Sequence, residues 1–239
     1  PHQDRPDDRR EDRAAEGDPG DEEEHLQGAE VIEPLRHRIT VVVEVAAGFI
    51  TMTRYVALGS SMAAGPGLLP RAPGSPAAAM RSTRNYPSLL AADLGHDLVD
   101  VSYSGATTAH VLHTRQNSSA PQVDALDGTE TLVTITIGGN DIAYVPGMYV
   151  ATLPRLTRAL PLVGPRLRDA LDPHARELAL ARLAPAMRAV GRAVRQKAPR
   201  ARVVFIDYLT LLPPAGERSF PLRRPHADLA RHLAVRLEE

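Results

Sequence analysis

The stretch Arg54-Tyr-Val-Ala-Leu-Gly-Ser-Ser-Met62 runs a short apolar strand into Gly59-Ser60-Ser61. A serine held at the carboxyl end of such a strand sits where parallel α/β sheets do their chemistry. Serine is unreactive until a base takes its proton, and a tight turn after a strand presents its oxygen to substrate. Ser61 is therefore a candidate nucleophile. Two later segments follow the same plan: Leu98 to Gly105 and Thr131 to Asn140 are apolar strands ending in glycine with polar groups at the tip. Gly105 has no side chain, so its backbone N–H can approach a ligand closely. Asn140, after Gly138-Gly139, offers a carboxamide able to donate to a developing oxyanion. Taken singly, each also reads as ordinary turn chemistry: a turn serine, a left-handed glycine, a turn asparagine. Together, three strand ends would converge on one site.

Other motifs fit less well. Gly59, Ser61 and Ala63 break the Gly-x-Ser-x-Gly spacing of a nucleophile elbow. The segment from Gly59 to Gly67 lacks the Gly-Lys-Ser/Thr ending of a phosphate loop, and Lys197 is the chain's one lysine. No Gly-x-Gly-x-x-Gly follows the first strand, which argues against a nucleotide-binding domain. The absence of cysteine removes disulfides, thiolate zinc sites and cysteine nucleophiles. A formal net charge of −1 over 239 residues provides no field that would attract nucleic acid. The abundance of arginine and alanine reads as base composition rather than as a guanidinium site.

These groups need a scaffold to position them, and strand and helix alternate from Met52 onward, the pattern of a parallel sheet with crossover helices. Strands are expected at Tyr55–Leu58, Leu98–Tyr103, Thr131–Ile137 and Ala201–Tyr208. The third is rich in β-branched residues and reads as fully buried, so it belongs at the sheet centre. A helix over Tyr86–Leu94 closes at Gly95, and Thr107 or Thr108 caps another running to about His113. Residues 142–173 hold Pro146, Gly147, Pro154, Pro161, Gly164 and Pro165, which predicts short helical pieces over the carboxyl edge, as in a lid. Pro185 divides the next helix into Ala175–Leu183 and Pro185–Ala198. A last helix from about Pro225 to Glu239 carries Leu229, Leu233 and Leu237 on one stripe.

Residues 1–51 are read apart from this domain. Pro1 to Glu30 is dense in Asp, Glu and Arg, a composition that cannot offset its ordering entropy by burial. Disorder is expected there, with Met52 as the natural start and the preceding residues a non-native extension. The domain is then 52–239. Apolar runs fall short of the roughly 20 residues that span a membrane. Ile39 to Ile50 comes nearest, yet Glu44 interrupts it and an acidic stretch precedes it where a leader would be basic. No membrane partner is expected, and a cytoplasmic location follows.

Gly59-Ser60-Ser61, Ser104-Gly105-Ala106-Thr107 and Gly138-Gly139-Asn140-Asp141, in that order at strand ends, resemble the SGNH hydrolases, the GDSL-type esterase and lipase family, from about Arg54 to Glu239. The resemblance implies a three-layer α/β/α sandwich with a mainly parallel, flavodoxin-like sheet. It implies a serine esterase or lipase acting on a small-molecule acyl ester through an acyl-enzyme, without metal or cofactor. Ser61 would be the nucleophile, and the Ser61 N–H, Gly105 N–H and Asn140 amide would form the oxyanion hole. Two departures stand out. The family usually places Asp before the nucleophile, where this chain has Ser60. Its Asp-x-x-His near the C-terminus, which supplies the base, has no match after the fourth strand.

Asp93-Leu-Gly-His96 is the one Asp-x-x-His present, but at a helix end expected to point away from the catalytic edge. His226 and His232 read as structural residues of the last helix, and His110 and His113 as surface residues without a third ligand for a metal. The expectation is a domain incomplete at its C-terminus, whose base lies outside this sequence and whose activity is impaired as it stands. The alternative is a non-catalytic domain that keeps the pocket to bind an acyl or sugar group.

Overall fold

Alternation along two apolar strands builds the core. In the computed structural model, which describes residues 53–162 and 164–238, β1 (Arg54–Gly59) and β3 (Glu130–Thr136) pair in parallel. β2 (Asp97–Asp100) and β4 (Arg202–Phe205) flank them, giving one parallel sheet in the order β2-β1-β3-β4. The expected N-terminal extension, residues 1–51, lies outside the described residues.

Side chains on successive residues point to opposite faces of the sheet. Val56, Leu58, Val133 and Ile135 pack on one side against Val190 and Val194 of α7 (Pro173–Lys197) and Val111 of α3 (Thr108–Leu112). Tyr55, Ala57 and Leu132 pack on the other against Ala91 and Leu90 of α2 (Tyr86–Leu94). The result is an α/β/α sandwich of three layers. Two buried threonines on the α2 face are satisfied there: Thr134 Oγ1 lies 2.7 Å from the Tyr55 hydroxyl, and Thr136 Oγ1 lies 2.8 Å from that of Tyr86. A further apolar cluster joins α4 (Tyr144–Thr152), α7 and α8 (Arg224–Glu238) through Ile142, Tyr144, Leu183, Tyr208 and Leu233.

Several boundaries differ from the sequence expectation. α7 is one helix of 25 residues with Pro185 inside it, not two pieces. Proline removes the hydrogen bond to the carbonyl four residues back; Ala181 and Pro185 both lie on the exposed face of the helix, where losing that bond costs less than it would in the core. β2 stops at Asp100 because its carboxylate accepts the Ser102 N–H at 2.9 Å and hydroxyl at 2.6 Å, turning the chain. Residues 142–173 form short helices as expected: α4, then α5 (Arg155–Ala159) and α6 (Gly164–Asp169).

From β1 the chain moves outward to β2, and β3 and β4 lie on β1's other side. Crevices at such a switch point, outside the carboxyl ends of the strands, are where open α/β sheets bind ligands. Here the crevice lies between the ends of β1 and β3.

Candidate active site

Backbone pairing brings the three strand ends together. Gly59 is in register with Thr136, Ser60 N–H donates to the Thr136 carbonyl at 2.9 Å, and Tyr103 N–H donates to the Gly59 carbonyl at 2.9 Å. Ser61, Gly105 and Asn140 therefore emerge from three hydrogen-bonded positions on one edge. Gly59 sits at φ 147°, and a Cβ there would lie 2.6 Å from the Thr136 carbonyl oxygen. Only glycine lets β1 and β3 stay paired to that point. Buried Gln122 completes the turn: its Oε1 accepts the Gly59 N–H at 2.7 Å and its Nε2 donates to the Gly59 carbonyl at 2.9 Å.

The two serines of the turn are in different surroundings. Ser60 is fully buried, and its hydroxyl is hydrogen-bonded to that of Tyr208. Ser61 opens α1 (Ser61–Ala64) and is partly exposed. Among the described residues no side chain hydrogen-bonds to its hydroxyl, and its N–H, at the first helical position, has no acceptor. Gly105 is exposed at φ 80°, and its N–H is likewise unpaired among the described residues. Asn140 Nδ2 donates one hydrogen to the Ala106 carbonyl at 2.8 Å, which fixes the amide toward the loop of Gly105. A carboxamide has two N–H donors, so one remains for a ligand.

Other residues hold this arrangement, and sequence reasoning did not single them out. The Asp141 carboxylate accepts the Thr108 N–H at 3.1 Å and hydroxyl at 2.6 Å, tying the β3 loop to the start of α3. Burial raises its pKa against the opposing effect of those bonds. Its place directly after Asn140 was the available signal. Behind α1, Asn85 Nδ2 donates to Asp100 at 2.7 Å and to the Ala64 carbonyl at 3.3 Å. Tyr208 reaches in from beyond β4, and burial pushes its pKa up to about 12, so it stays a neutral hydrogen-bonding group. A Cβ on Gly139 would clash with the edge of the Tyr208 ring, which explains the second glycine of Gly-Gly-Asn-Asp. Tyr208→Phe is expected to strand the buried Ser60 hydroxyl and cost about 1–3 kcal/mol, read as a lower urea midpoint with an unchanged slope.

The histidines singled out in the sequence lie elsewhere. His96 precedes β2, on the amino edge, with Nδ1 2.8 Å from Thr53 Oγ1. His110 is not a free surface residue: its Nδ1 accepts the Thr107 N–H at 3.0 Å in a capping box that starts α3. His113 is exposed, and His232 Nε2 lies 2.6 Å from Glu177 Oε1 on the surface. His226 packs beside Tyr144, Gly147 and Leu229, its Nδ1 buried without a partner. Among the described residues no imidazole is hydrogen-bonded to Ser61, and no cluster of three His, Asp or Glu could hold a metal.

Burial, then the charges of Arg158 and Arg223, lower the His226 pKa. The unfolded chain takes up that proton near the ordinary value of about 6.5, whereas the folded chain resists it. Stability present above that pH is therefore lost as pH falls through it. His226→Gln is expected to flatten the dependence, read by urea melts at neutral and mildly acidic pH.

Residues 57–238 match the GDSL-like Lipase/Acylhydrolase family. Lipase 2 of Streptomyces coelicolor is 35% identical over 176 residues, 72% of this chain and 58% of the relative. A lipase of Streptomyces rimosus is 32% identical over 172 residues, 69% of this chain and 55% of the relative. The chain thus spans somewhat more than half the length of these relatives. In structure it resembles phospholipase A1 of Streptomyces albidoflavus, with a TM-score of 0.62 and 28% identity over 78% of this chain and 72% of the other. The extracellular lipase of Streptomyces rimosus also has a TM-score of 0.62, with 26% identity over 77% and 72% of the two chains.

Proposed function

The chain belongs to the GDSL-like lipase/acylhydrolase family, and on that premise we propose that it is a carboxylic ester hydrolase in which Ser61 forms an acyl-enzyme. Ser61 Oγ attacks the ester carbonyl as its proton passes to a base. The carbonyl oxygen, now negative, accepts hydrogen bonds from the Ser61 N–H, the Gly105 N–H and the free N–H of Asn140. Collapse breaks the bond to the alcohol, which leaves with a proton, and water releases the acid from Ser61 by the same route in reverse. One observation carries this: unpaired Ser61 and Gly105 N–H groups and an Asn140 amide anchored on Ala106 all lie at adjoining strand ends. The donors are fixed before substrate arrives, which is what lets them act on charge that develops later.

Among the described residues no base hydrogen-bonds to Ser61, so added imidazole should stand in for one. Hydrolysis of p-nitrophenyl butyrate that rises with imidazole and vanishes in Ser61→Ala is the expected result. That no imidazole among the described residues hydrogen-bonds to Ser61 also favours a second reading, a domain that binds an acyl group without cleaving it. Saturable ester binding with no covalent labelling and no imidazole response would select that one.

A further inference from the structure

The segments leaving β3 and β4 carry groups that acyl transfer does not use. From Tyr149 to Arg168 the chain holds Arg155, Arg158, Arg166 and Arg168 without one carboxylate. From Leu209 to Arg224 it adds Arg218, Arg223 and Arg224 against Glu217 alone. Large apolar side chains stand among these cations: Phe220 is 95% exposed, Leu156 83% and Tyr149 72%. Such residues scattered singly need no account, whereas a contiguous apolar patch marks an interaction site.

Several of these residues adjoin. Tyr149 and Phe220 line a groove of about 220 Å³, and Phe220 borders the next hollow, where Arg218, Arg224 and Arg231 outnumber Glu217 and Asp228, Arg224 lying 3.8 Å from Asp228. Arg223 and Arg158 both act on His226, and Arg155, Arg158 and Arg168 edge a third depression. Both segments follow strand ends on the edge that carries Ser61 and Asn140, so the face flanks the candidate site.

We propose that this face adsorbs to the surface of an anionic phospholipid bilayer. The arginines engage headgroup phosphates, and Tyr149, Leu156 and Phe220 enter the boundary of the acyl chains. The chain as a whole has a formal net charge of −1, so attraction to an anionic surface must come from a local patch. A polyanion such as RNA would satisfy the guanidinium groups but leave Leu156 and Phe220 in water. An apolar protein partner would bury the leucine and phenylalanine but strand the arginines. A bilayer interface offers phosphate and hydrocarbon within one side-chain length, and planar guanidinium pairs with phosphate in two parallel bonds. Surface binding needs no spanning segment, and among the described residues no helix is long and apolar enough to cross a membrane.

The test uses the full chain carrying Ser61→Ala, so that no lipid is consumed, sedimented with vesicles of phosphatidylcholine alone or mixed equally with phosphatidylglycerol. Binding to the mixed vesicles, weakened by salt, and little binding to the neutral ones is expected. One arginine near an anionic surface is worth about fivefold in partitioning, so the triple variant Arg155→Glu, Arg166→Glu, Arg218→Glu should lose at least about 100-fold. Leu156→Ser with Phe220→Ser should weaken binding at every salt concentration. Equal partitioning to both vesicle types, none to either, an unaffected charge-reversal variant, or tighter binding to polyuridylate than to mixed vesicles would each overturn it. Circular dichroism checks that each variant is folded. Ester turnover by the parent chain is read separately: turnover without vesicle binding sinks this inference alone, and vesicle binding without turnover sinks only the acyl-transfer proposal.

Discussion

A fluorophosphonate probe is expected to label the chain once, at Ser61, and to label Ser61→Ala not at all, while Ser60→Ala still labels. The two adjacent hydroxyls differ in what they touch. Ser60 Oγ is sealed from solvent and hydrogen-bonded to Tyr208, so no acyl carbonyl can reach it without breaking a buried contact. Ser61 is partly exposed, and among the described residues neither its hydroxyl nor its N–H has a hydrogen-bond partner. Without the Ser61 hydroxyl no acyl-enzyme can form, so the imidazole-dependent part of the turnover should be lost in Ser61→Ala, leaving only the residual hydrolysis that the remaining donors support. Intact-mass spectrometry gives the label count, and the p-nitrophenyl butyrate assay gives the turnover. Labelling retained in Ser61→Ala and lost in Ser60→Ala would move the nucleophile to the buried position and overturn the assignment.

The parts of this site visible in the sequence are those that act locally. Strand ends at Gly59 and Gly138 show because an apolar β-branched run followed by glycine has one common meaning. Helix α2 shows because leucines at helical spacing end at Gly95. What stayed hidden depends on partners far along the chain. Gln122 lies in a short turn without periodic signal, yet it holds both backbone groups of Gly59, 63 residues away. Tyr208 was read as the end of a strand; it stands beyond β4, where its ring fills the space that requires Gly139 to lack a side chain. His110 sat on a helix expected to be surface, and only the fold shows its Nδ1 turned back to Thr107. Pro185 carries the opposite lesson. Local steric rules break a helix there, but the orphaned carbonyl lies on the exposed face of the helix and α7 runs through. Local chemistry specified the turns, and long-range packing decided which polar groups were left free in them.

Asn140→Ala is expected to lower kcat for p-nitrophenyl butyrate by about 10²–10³-fold, the equivalent of about 2.7–4 kcal/mol, with KM little changed. The asymmetry follows from how the amide is held. One N–H is engaged by the Ala106 carbonyl in the absence of substrate, so the other is aimed before any charge exists. A neutral ester carbonyl gains little from that donor, and the tetrahedral oxyanion gains much, so the interaction belongs to the transition state and appears in kcat. Removing the anchor to Ala106 should also cost about 1 kcal/mol of stability, and a urea melt separates that loss from the catalytic one. Asn140→Asp sharpens the test, because it keeps the shape while replacing the donor with a carboxylate that repels the oxyanion. Its kcat should fall at least as far as that of Asn140→Ala. Both variants are assayed with imidazole present, so that proton removal from Ser61 limits neither. A kcat unchanged in Asn140→Ala would take the amide out of the oxyanion site and leave it as a tie between two loops.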